Sequence, residues 1–301
     1  MCEGEDVHLQ WDGEIKIKIL LPVKLPNDHN VFIFGDKHEG SVLSSDRGWD
    51  IMVNMMLSEY DGCPNNYGME GGDMIEAIMA DDPRFSKEKL TEALPLEQVK
   101  MAVKRREPIK HLLLDILEGN HERRLWRFGD LAKNIADELG VPYGTYTAKL
   151  TINDRWGRLM YKIYHTHGFK SINSIADDPI RRKANMELIL KRHLKNKAAD
   201  CAVMIKAHTH KLLVSRPHHE LYLYDDSKQI RQGYTGYKQN EKYIHPDARW
   251  YGNSGSFLKL FGKGISGYAE IFELDPTELG FLCLIVRDKK IIELRPIYVD
   301  I

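Results

Sequence analysis

The chain has 301 residues, which is enough to bury a substantial core in one large domain or two small ones. Hydrophobic residues make up 43% of the sequence and charged residues 29%, so a disordered or fibrous protein is excluded. Lys and Arg number 43 against 44 Asp and Glu, and the formal net charge is -1. A polyanionic partner would therefore have to be held by a local basic patch or by metal.

The cellular location is predicted from the first residues, the apolar runs and the cysteines. The first ten residues lack the basic start and apolar core of a signal peptide, and no apolar run approaches the roughly 18 residues of a membrane span. The four cysteines form no C-x-x-C pair, which argues against a disulfide framework or a zinc ribbon. We therefore expect a cytoplasmic protein with no membrane partner.

Predicted strands and helices alternate over the first two thirds of the chain. Apolar runs that end in Gly or a turn predict strands, and apolar residues at helical spacing predict helices. In chain order we predict strands over 14–24 and 30–34, a helix over 46–60 with Asp46 as its N-cap, a short strand leading into Gly71 and Gly72, a helix from Asp73 onward, a helix over 86–106, a strand over 111–119, a helix over 121–139, a hairpin over 145–164, a helix over 178–196 and a strand over 201–207. Residues 212–300 show short strands with turn signals between them.

This profile predicts an α/β fold of four layers, an α/β/β/α sandwich in which two mixed β-sheets are flanked by helices. The second sheet is expected to come largely from the carboxyl-terminal part. The sequence has no internal repeat and no Pro/Gly/Ser linker. We therefore expect a single domain over residues 1–301, with residues 225–250 as a loop insertion that faces the substrate.

Polar residues able to bind metal follow five of the predicted strands. The five segments are Gly35-Asp36-Lys37-His38, Gly72-Asp73, Gly119-Asn120-His121-Glu122, His165-Thr166-His167-Gly168 and His208-Thr209-His210. Loops after strands gather at one edge of a sheet and can converge on one site. Carboxylate, imidazole and amide oxygen are ligands for divalent ions. A single histidine is more often a surface or core residue, but the set of five segments predicts a metal site.

In content and order these segments resemble the motifs of the calcineurin-like metallophosphoesterases. Those motifs are D-x-H, G-D, G-N-H-[DE], a His followed by Gly, and G-H-x-H. The resemblance covers about residues 30–260 and includes the N-S-G-S run at 253–256, which is similar to a turn after the last motif. Ala207 departs from the family because Gly usually stands there, and we expect this change to affect only the turn before the ligands.

The resemblance implies two metal sites and a division of labour among the ligands. The implied ligands are Asp36, His38 and His210 at the first metal, Asn120, His167 and His208 at the second, and Asp73 as the bridge. A hydroxide held between the two ions would attack phosphorus in line. Mn is the first choice of metal, and Fe, Zn, Ni and Co are alternatives, because mixed oxygen and nitrogen ligands do not select one ion.

Two further catalytic residues follow from the resemblance. His121 would face the leaving group as a general acid or charge stabiliser. Glu76 stands where phosphoprotein phosphatases carry an aspartate that orients the catalytic histidine. We predict either that role or, on the first turn of a helix, an interaction with the helix dipole. His165 is a candidate for the substrate side or for supporting the ligands.

Two departures from the protein phosphatases favour another branch of the family. Glu39 follows His38 where those enzymes have Gly, and Ala77 occupies the place of their phosphate-binding arginine. The run Asp36–Gly40 resembles the D-x-H-x-G of the exonuclease and phosphodiesterase branch. We therefore predict a phosphodiesterase, with a nuclease acting on DNA or RNA as its narrower form. The alternatives are a phosphomonoesterase, a protein phosphatase or a non-catalytic scaffold.

Nucleic acid is a candidate partner because cations and aromatic rings alternate in residues 228–250. Rings can stack on bases while cations follow phosphates. We predict as substrate-binding residues Tyr234, Tyr237 and Lys238. A flap or a subunit contact is the alternative for this loop, and a solvated face is the alternative for the basic helix over 178–196. The sequence also resembles phosphoesterases encoded in phage genomes, which implies the host cytoplasm.

Overall fold

The computed structural model describes residues 20–82, 85–236, 239, 242–262, 265–266 and 276–299. The strands are β1 (Leu20–Lys24), β2 (His29–Phe34), β3 (Asn66–Glu70), β4 (Leu113–Ile116), β5 (Thr147–Asn153), β6 (Leu159–Thr166), β7 (Val203–Lys206), β8 (Leu212–Ser215), β9 (Leu221–Asp225), β10 (Ile230–Tyr234), β11 (Trp250–Ser254), β12 (Phe261–Gly262), β13 (Ile265–Ser266), β14 (Gly280–Arg287) and β15 (Lys290–Tyr298). The α-helices are α1 (Asp46–Leu57), α2 (Pro95–Arg106), α3 (Asn120–Arg124), α4 (Leu131–Leu139) and α5 (Pro179–Leu194).

Two mixed sheets form the centre of the molecule. The six-stranded sheet has the order β1-β5-β6-β7-β11-β8, and the five-stranded sheet has the order β15-β14-β2-β3-β4. Strands β2, β3 and β4 run parallel to one another, as do β6, β7 and β11. Their carboxyl ends therefore lie at one edge of each sheet. The prediction of two mixed sheets is confirmed.

Alternating side chains of β2 show how the layers are built. Val31 and Ile33 pack between the two sheets, against residues of the six-stranded sheet such as Ile163. Phe32 and Phe34 point the other way, because successive side chains of a strand face opposite sides, and they pack under helices α1, α2 and α4. Helix α5 packs on the outer face of the six-stranded sheet. The sequence of layers is thus α/β/β/α, as predicted.

Capping residues and turns shift several predicted helix boundaries. Helix α1 is capped by Ser45, whose hydroxyl accepts from the N–H of Gly48 at 3.1 Å, so the predicted N-cap Asp46 is wrong by one residue. The helix predicted over 86–106 is a short 3-10 turn followed by α2, because Pro95 starts a new helix. The helix predicted over 121–139 is interrupted at Gly129, whose φ is +95°, and resumes after Asp130.

The helix predicted from Asp73 is absent from the described structure. The segment runs beside residues 36–39 instead, with the N–H of Glu39 bonded to the carbonyl of Met74 and the N–H of Glu76 bonded to the carbonyl of Glu39. These long-range hydrogen bonds take groups that a helix would use within itself. The prediction of a helix here is wrong.

Other predictions fall outside what the structure tests. Residues 14–19 of the first predicted strand lie outside the described residues. The assignment of residues 1–301 to one domain stays a prediction. Within the described part of the chain, every helix is too short or too polar to cross a membrane.

Candidate metal centre

The predicted ligands leave their strands through unusually sharp turns. Five of the seven have a positive φ, between +52° and +73°: Asp36, His38, Asp73, His208 and His210. Residues with side chains rarely adopt this left-handed conformation, and such residues cluster at functional sites. The turns bring segments from the ends of β2, β3, β4, β6 and β7 together, as the sequence predicts.

Three predicted ligands of the first metal form one cluster. The Nε2 atoms of His38 and His210 are 3.4 Å apart, and Nε2 of His210 lies 3.3 Å from Oδ1 of Asp36. A metal with ligand distances of about 2.1 Å keeps neighbouring ligand atoms about 3.0 to 3.4 Å apart. The spacing of these three atoms therefore fits a common metal ion.

The ligands predicted for the second metal form another cluster. Nε2 of His167 lies 3.0 Å from Oδ1 of Asn120 and 3.5 Å from Oδ2 of Asp73. Asp73, His167 and His208 each offer one ligand atom, and these three atoms lie within 4.8 Å of one another. These groups can hold a second ion. The bridging role of Asp73 stays a prediction.

Hydrogen bonds fix which atoms face the metal positions. Nδ1 of His167 donates to the carbonyl of Gly71 at 2.6 Å, which leaves Nε2 for an ion. Oδ2 of Asp36 accepts from the N–H of His208, and Oδ1 of Asp73 accepts from the N–H of His121. Oδ1 of Asp36 is buried and accepts no well-aligned hydrogen bond from the described residues, although Nε2 of His210 lies 3.3 Å away. A buried carboxylate oxygen without a partner is costly, and a cation would satisfy it.

The electrostatics of the site also favour a cation. Burial would raise the pKa of Asp36 and Asp73, but the histidines around them hold both pKa values below the usual range. Burial would likewise lower the pKa of His167, yet Asp73 and Asp36 raise it to about 9. The two buried carboxylates therefore require positive charge beside them. Protonated histidines supply this charge in the absence of metal, and bound metal ions would supply it instead.

Glu76 acts on a different histidine from the one predicted. Its carboxylate oxygen Oε2 lies 2.9 Å from Nδ1 of His38. It is the main-chain carbonyl of Glu76 that pairs with Nδ1 of His121. Because Glu76 does not stand on a helix, the helix-dipole alternative is wrong. The carboxylate instead directs Nε2 of His38 toward the first cluster, as carboxylates behind metal-bound histidines commonly do.

Replacing Glu76 with Gln should weaken binding of the first metal by about 10- to 100-fold, because the carboxylate that orients His38 and strengthens it as a ligand is lost. Titration calorimetry with Mn²⁺ measures this change. Glu118→Gln is the control, since the Glu118 carboxylate lies 3.5 Å from Arg123 and belongs to neither cluster. Equal affinity in Glu76→Gln and the unmodified protein would contradict the assigned role.

His121 lies beside the candidate ligands, and with His38 and Glu76 it forms a third group whose atoms could hold a metal ion. Its ring is 4.5 Å from that of His38 and perpendicular to it, and it lines a cavity of about 930 Å³ together with Asp73, Asn120 and His208. Burial lowers the pKa of His121. With Nδ1 held by the Glu76 carbonyl, Nε2 is the ring nitrogen available for proton exchange with a substrate.

The sequence prediction missed the structural role of Glu122. Its buried carboxylate accepts from the N–H groups of Met74 at 2.6 Å, Ile75 at 3.1 Å and Gly119 at 2.9 Å. These bonds tie the segment that carries Asp73 to the one that carries Asn120. The only sign of this role in the sequence is that Glu122 ends the G-N-H-E motif.

The Ala207 departure is accommodated by a glycine on the facing loop. A Cβ atom added to Gly71 would lie 2.8 Å from Cβ of Ala207, closer than real Cβ contacts. The next contact would be an ordinary one, 3.4 Å from the carbonyl oxygen of Phe34. The methyl group of Ala207 thus fills space that Gly71 leaves open beside Asp73 and His208.

Gly71→Ala should lower the free energy of unfolding by about 1–3 kcal/mol through overpacking. The double variant Gly71→Ala with Ala207→Gly removes the clash and should return to within about 1 kcal/mol of the unmodified protein, the usual cost of an added glycine. Denaturant unfolding of both variants measures the difference. A double variant no more stable than Gly71→Ala would show that the Ala207 contact is not the cause.

His165 lies in the interior, between the two sheets. Nδ1 of His165 lies 2.9 Å from Oδ2 of Asp115, and both residues are fully buried. The pair joins β6 of one sheet to β4 of the other. His165 does not line the cavity described above, so the structure favours the supporting role over the substrate side.

Within the loop predicted to select the substrate, the described residue Gln239 contacts the sheet at the end opposite to the ligands. Gln239 bonds to the N–H of Lys162 and the carbonyl of Asp200, near the amino end of β7, whereas the ligands follow its carboxyl end. Tyr234 is exposed on the β9–β10 hairpin and does not line the cavity. Tyr237 and Lys238 lie outside the described residues. A role of this loop in substrate binding stays a prediction, and it would concern a substrate that extends beyond the cavity.

The similarity of this chain to known proteins is weak. No family model matches the sequence, and no curated protein matches it either. Among solved structures, the chain is similar to the crystal structure of a conserved uncharacterized protein, a predicted phosphoesterase, from Streptococcus pneumoniae TIGR4. The identity is 11%, the TM-score is 0.30, and the match covers 90% of this chain and 98% of that one. So weak a likeness supports no conclusion, and the family, its branch and the phage resemblance stay predictions.

Proposed function

We propose that the chain is a metal-dependent phosphoesterase of the calcineurin-like type that hydrolyses phosphodiester bonds with two divalent cations. One observation carries the proposal. The predicted ligands from five strand ends meet in two clusters whose atoms have the spacing of metal ligands, beside a histidine and an open cavity. A non-catalytic scaffold would have no need to keep the full set of ligands and His121 together.

The residues of the chain have separate tasks in this proposal. Two bound divalent cations would lower the pKa of a water molecule and offset charge on the phosphoryl oxygens. Asp36, His38 and His210 would hold one ion, and the second cluster would hold the other with Asp73 between them. His121 would exchange a proton with the leaving-group oxygen through Nε2.

The environment of Ala77 supports a diesterase over a protein phosphatase. Ala77 is buried, its φ is +53°, and its N–H donates to the side chain of Gln98 at 2.8 Å. No arginine reaches the site from this position. A phosphomonoesterase remains the second candidate, and a nuclease is the narrower form of the proposed diesterase. Mn is the proposed metal.

The test compares bis(4-nitrophenyl) phosphate with 4-nitrophenyl phosphate after metal removal and reconstitution with Mn²⁺. We expect hydrolysis to disappear on chelation, to return with the ion, and to be faster for the diester. Undiminished hydrolysis after thorough chelation would overturn the metal-dependent mechanism. Faster hydrolysis of the monoester would replace the diesterase by the phosphomonoesterase.

A further inference from the structure

Arginines from both halves of the sandwich line the cavity beside the candidate metal centre. Arg124 ends helix α3, which follows β4 of the five-stranded sheet. Arg182 lies in the first turn of α5, which packs on the six-stranded sheet. The candidate ligands themselves come from the ends of both sheets. The two arginines therefore reach the same cavity from helices that belong to different halves of the sandwich.

Both arginines keep donors available for a ligand. Nη1 of Arg124 lies 3.5 Å from Asp82, at the limit of a hydrogen bond, and the side chain is 52% exposed. Nε of Arg182 donates to the carbonyl of Ala176 at 2.8 Å, and the residue is exposed. A guanidinium group has five N–H donors, so one such contact leaves several for a substrate.

The third cation in the lining has a structural contact. Nζ of Lys211 donates to the carbonyl of Ile172 at 2.7 Å and to Oδ1 of Asn173 at 2.8 Å. It thereby holds the segment before α5 against the strand end that carries His210. Outside the two ligand clusters, the described lining contains two carboxylates against these three cations: Glu76, which pairs with His38, and Glu278. Arg124 and Arg182 are the two guanidinium groups of this lining.

Two arginines in addition to two metal ions are more than one diester requires. A phosphodiester group carries a single negative charge, and two divalent cations at the ligand clusters already more than offset it. Arginine matches the oxygens of a phosphate group with two parallel hydrogen bonds. Two arginines from different halves of the sandwich thus fit further phosphate groups on either side of the reacting one. The same lining includes the nearly buried Leu213, Leu258 and Leu260.

Resting on the proposed function, we propose that Arg124 and Arg182 bind the phosphates next to the scissile one, and that the substrate is a single-stranded oligonucleotide cleaved at an internal bond. Such a strand supplies phosphate groups on both sides of the reacting one, as the two arginines require. The absence of a phosphate-binding arginine at Ala77 is consistent with recognition from these other positions.

The chain offers a matched control beside each arginine. Arg123 and Arg181 precede Arg124 and Arg182 directly, are exposed, and do not line the cavity. The substrates are a single-stranded DNA of ten nucleotides and bis(4-nitrophenyl) phosphate, which has one phosphate. Arg124→Ala and Arg182→Ala should each lower the ratio of kcat/KM for the oligonucleotide to kcat/KM for the small diester by about tenfold. Arg123→Ala and Arg181→Ala should leave the ratio within about twofold.

Binding gives a second readout that does not depend on turnover. We expect fluorescence anisotropy of the labelled oligonucleotide, with Ca²⁺ in place of Mn²⁺, to show weaker binding in the Arg124→Ala, Arg182→Ala double variant. Its affinity should also depend less steeply on salt, because two phosphate contacts are lost. Unchanged affinity and salt dependence in the double variant would overturn the proposal.

The outcomes separate this proposal from the function on which it rests. If the unmodified protein hydrolyses the small diester but neither binds nor cleaves the oligonucleotide, the substrate class is wrong and the phosphodiesterase stands. If neither substrate is hydrolysed with any of the metals, the proposed function fails. An equal loss on both substrates in the Arg124 and Arg182 variants would place these residues at the reacting phosphate and overturn the inference. If Arg123→Ala and Arg181→Ala lower the ratio as much as the Arg124 and Arg182 variants do, the effect comes from general surface charge and the inference is overturned.

Discussion

Asp73→Asn will lose most phosphodiester hydrolysis, by more than about 100-fold, since removing even an outer partner of a metal ligand costs 10- to 100-fold. Asp73 is buried, and its Oδ2 faces His167 while its Oδ1 accepts from the N–H of His121. Asn keeps the shape and can accept the same hydrogen bond, but it lacks the negative charge that would hold the two cations. Activity on bis(4-nitrophenyl) phosphate and metal content by mass spectrometry measure the effect.

The control for this variant is Asp81→Asn, which removes an exposed carboxylate from the same segment of chain. It should keep full activity and both metals. Full activity and two bound ions in Asp73→Asn would contradict the bridging role and the assignment of the second cluster.

His121→Ala will keep both metal ions and lose about 10²- to 10⁴-fold in kcat, the range expected for a missing proton-transfer group. The loss should be smaller when the leaving group is nitrophenolate, because a weakly basic leaving group needs little help from an acid. The measurement is therefore a comparison of nitrophenyl and alkyl esters, with metal content determined for each protein.

His111→Ala is the control for this second variant, because His111 is exposed and stands before β4 at the opposite end from His121. It should change kcat by less than twofold. A His121→Ala protein that binds only one ion would identify His121 as a ligand. An equal loss on good and poor leaving groups would remove the proton-transfer role.

The alternation of strands and helices was readable from the sequence because apolar periodicity reflects which face of an element is buried. Strand β2 shows this well, since all six of its residues are buried between helices and the second sheet. Predicting a continuous apolar run there required no knowledge of the rest of the chain. The ligand segments were readable for a related reason, because each follows such a run directly.

The segment after Asp73 shows where local patterns fail. Residues 73–77 carry an apolar and acidic mixture that suits a helix, but their N–H groups bond to Glu122, Glu39 and Gln98. Each of those partners is 21 or more residues away in sequence. A prediction from neighbouring residues cannot include them. The resemblance assigned the Glu76 carboxylate to His121, whereas the structure places it on His38.

The amino-acid sequence by itself determined the four-layer α/β architecture and the set of seven candidate ligands, since both depend on residue types at fixed spacing along the chain. Only the tertiary structure decided which groups surround the site. It placed the carboxylate of Glu76 on His38, the methyl group of Ala207 against Gly71, and Arg124 and Arg182 in one cavity. The physical reason is that these contacts join segments far apart in sequence, and their geometry follows from how the two sheets pack, which local spacing does not encode.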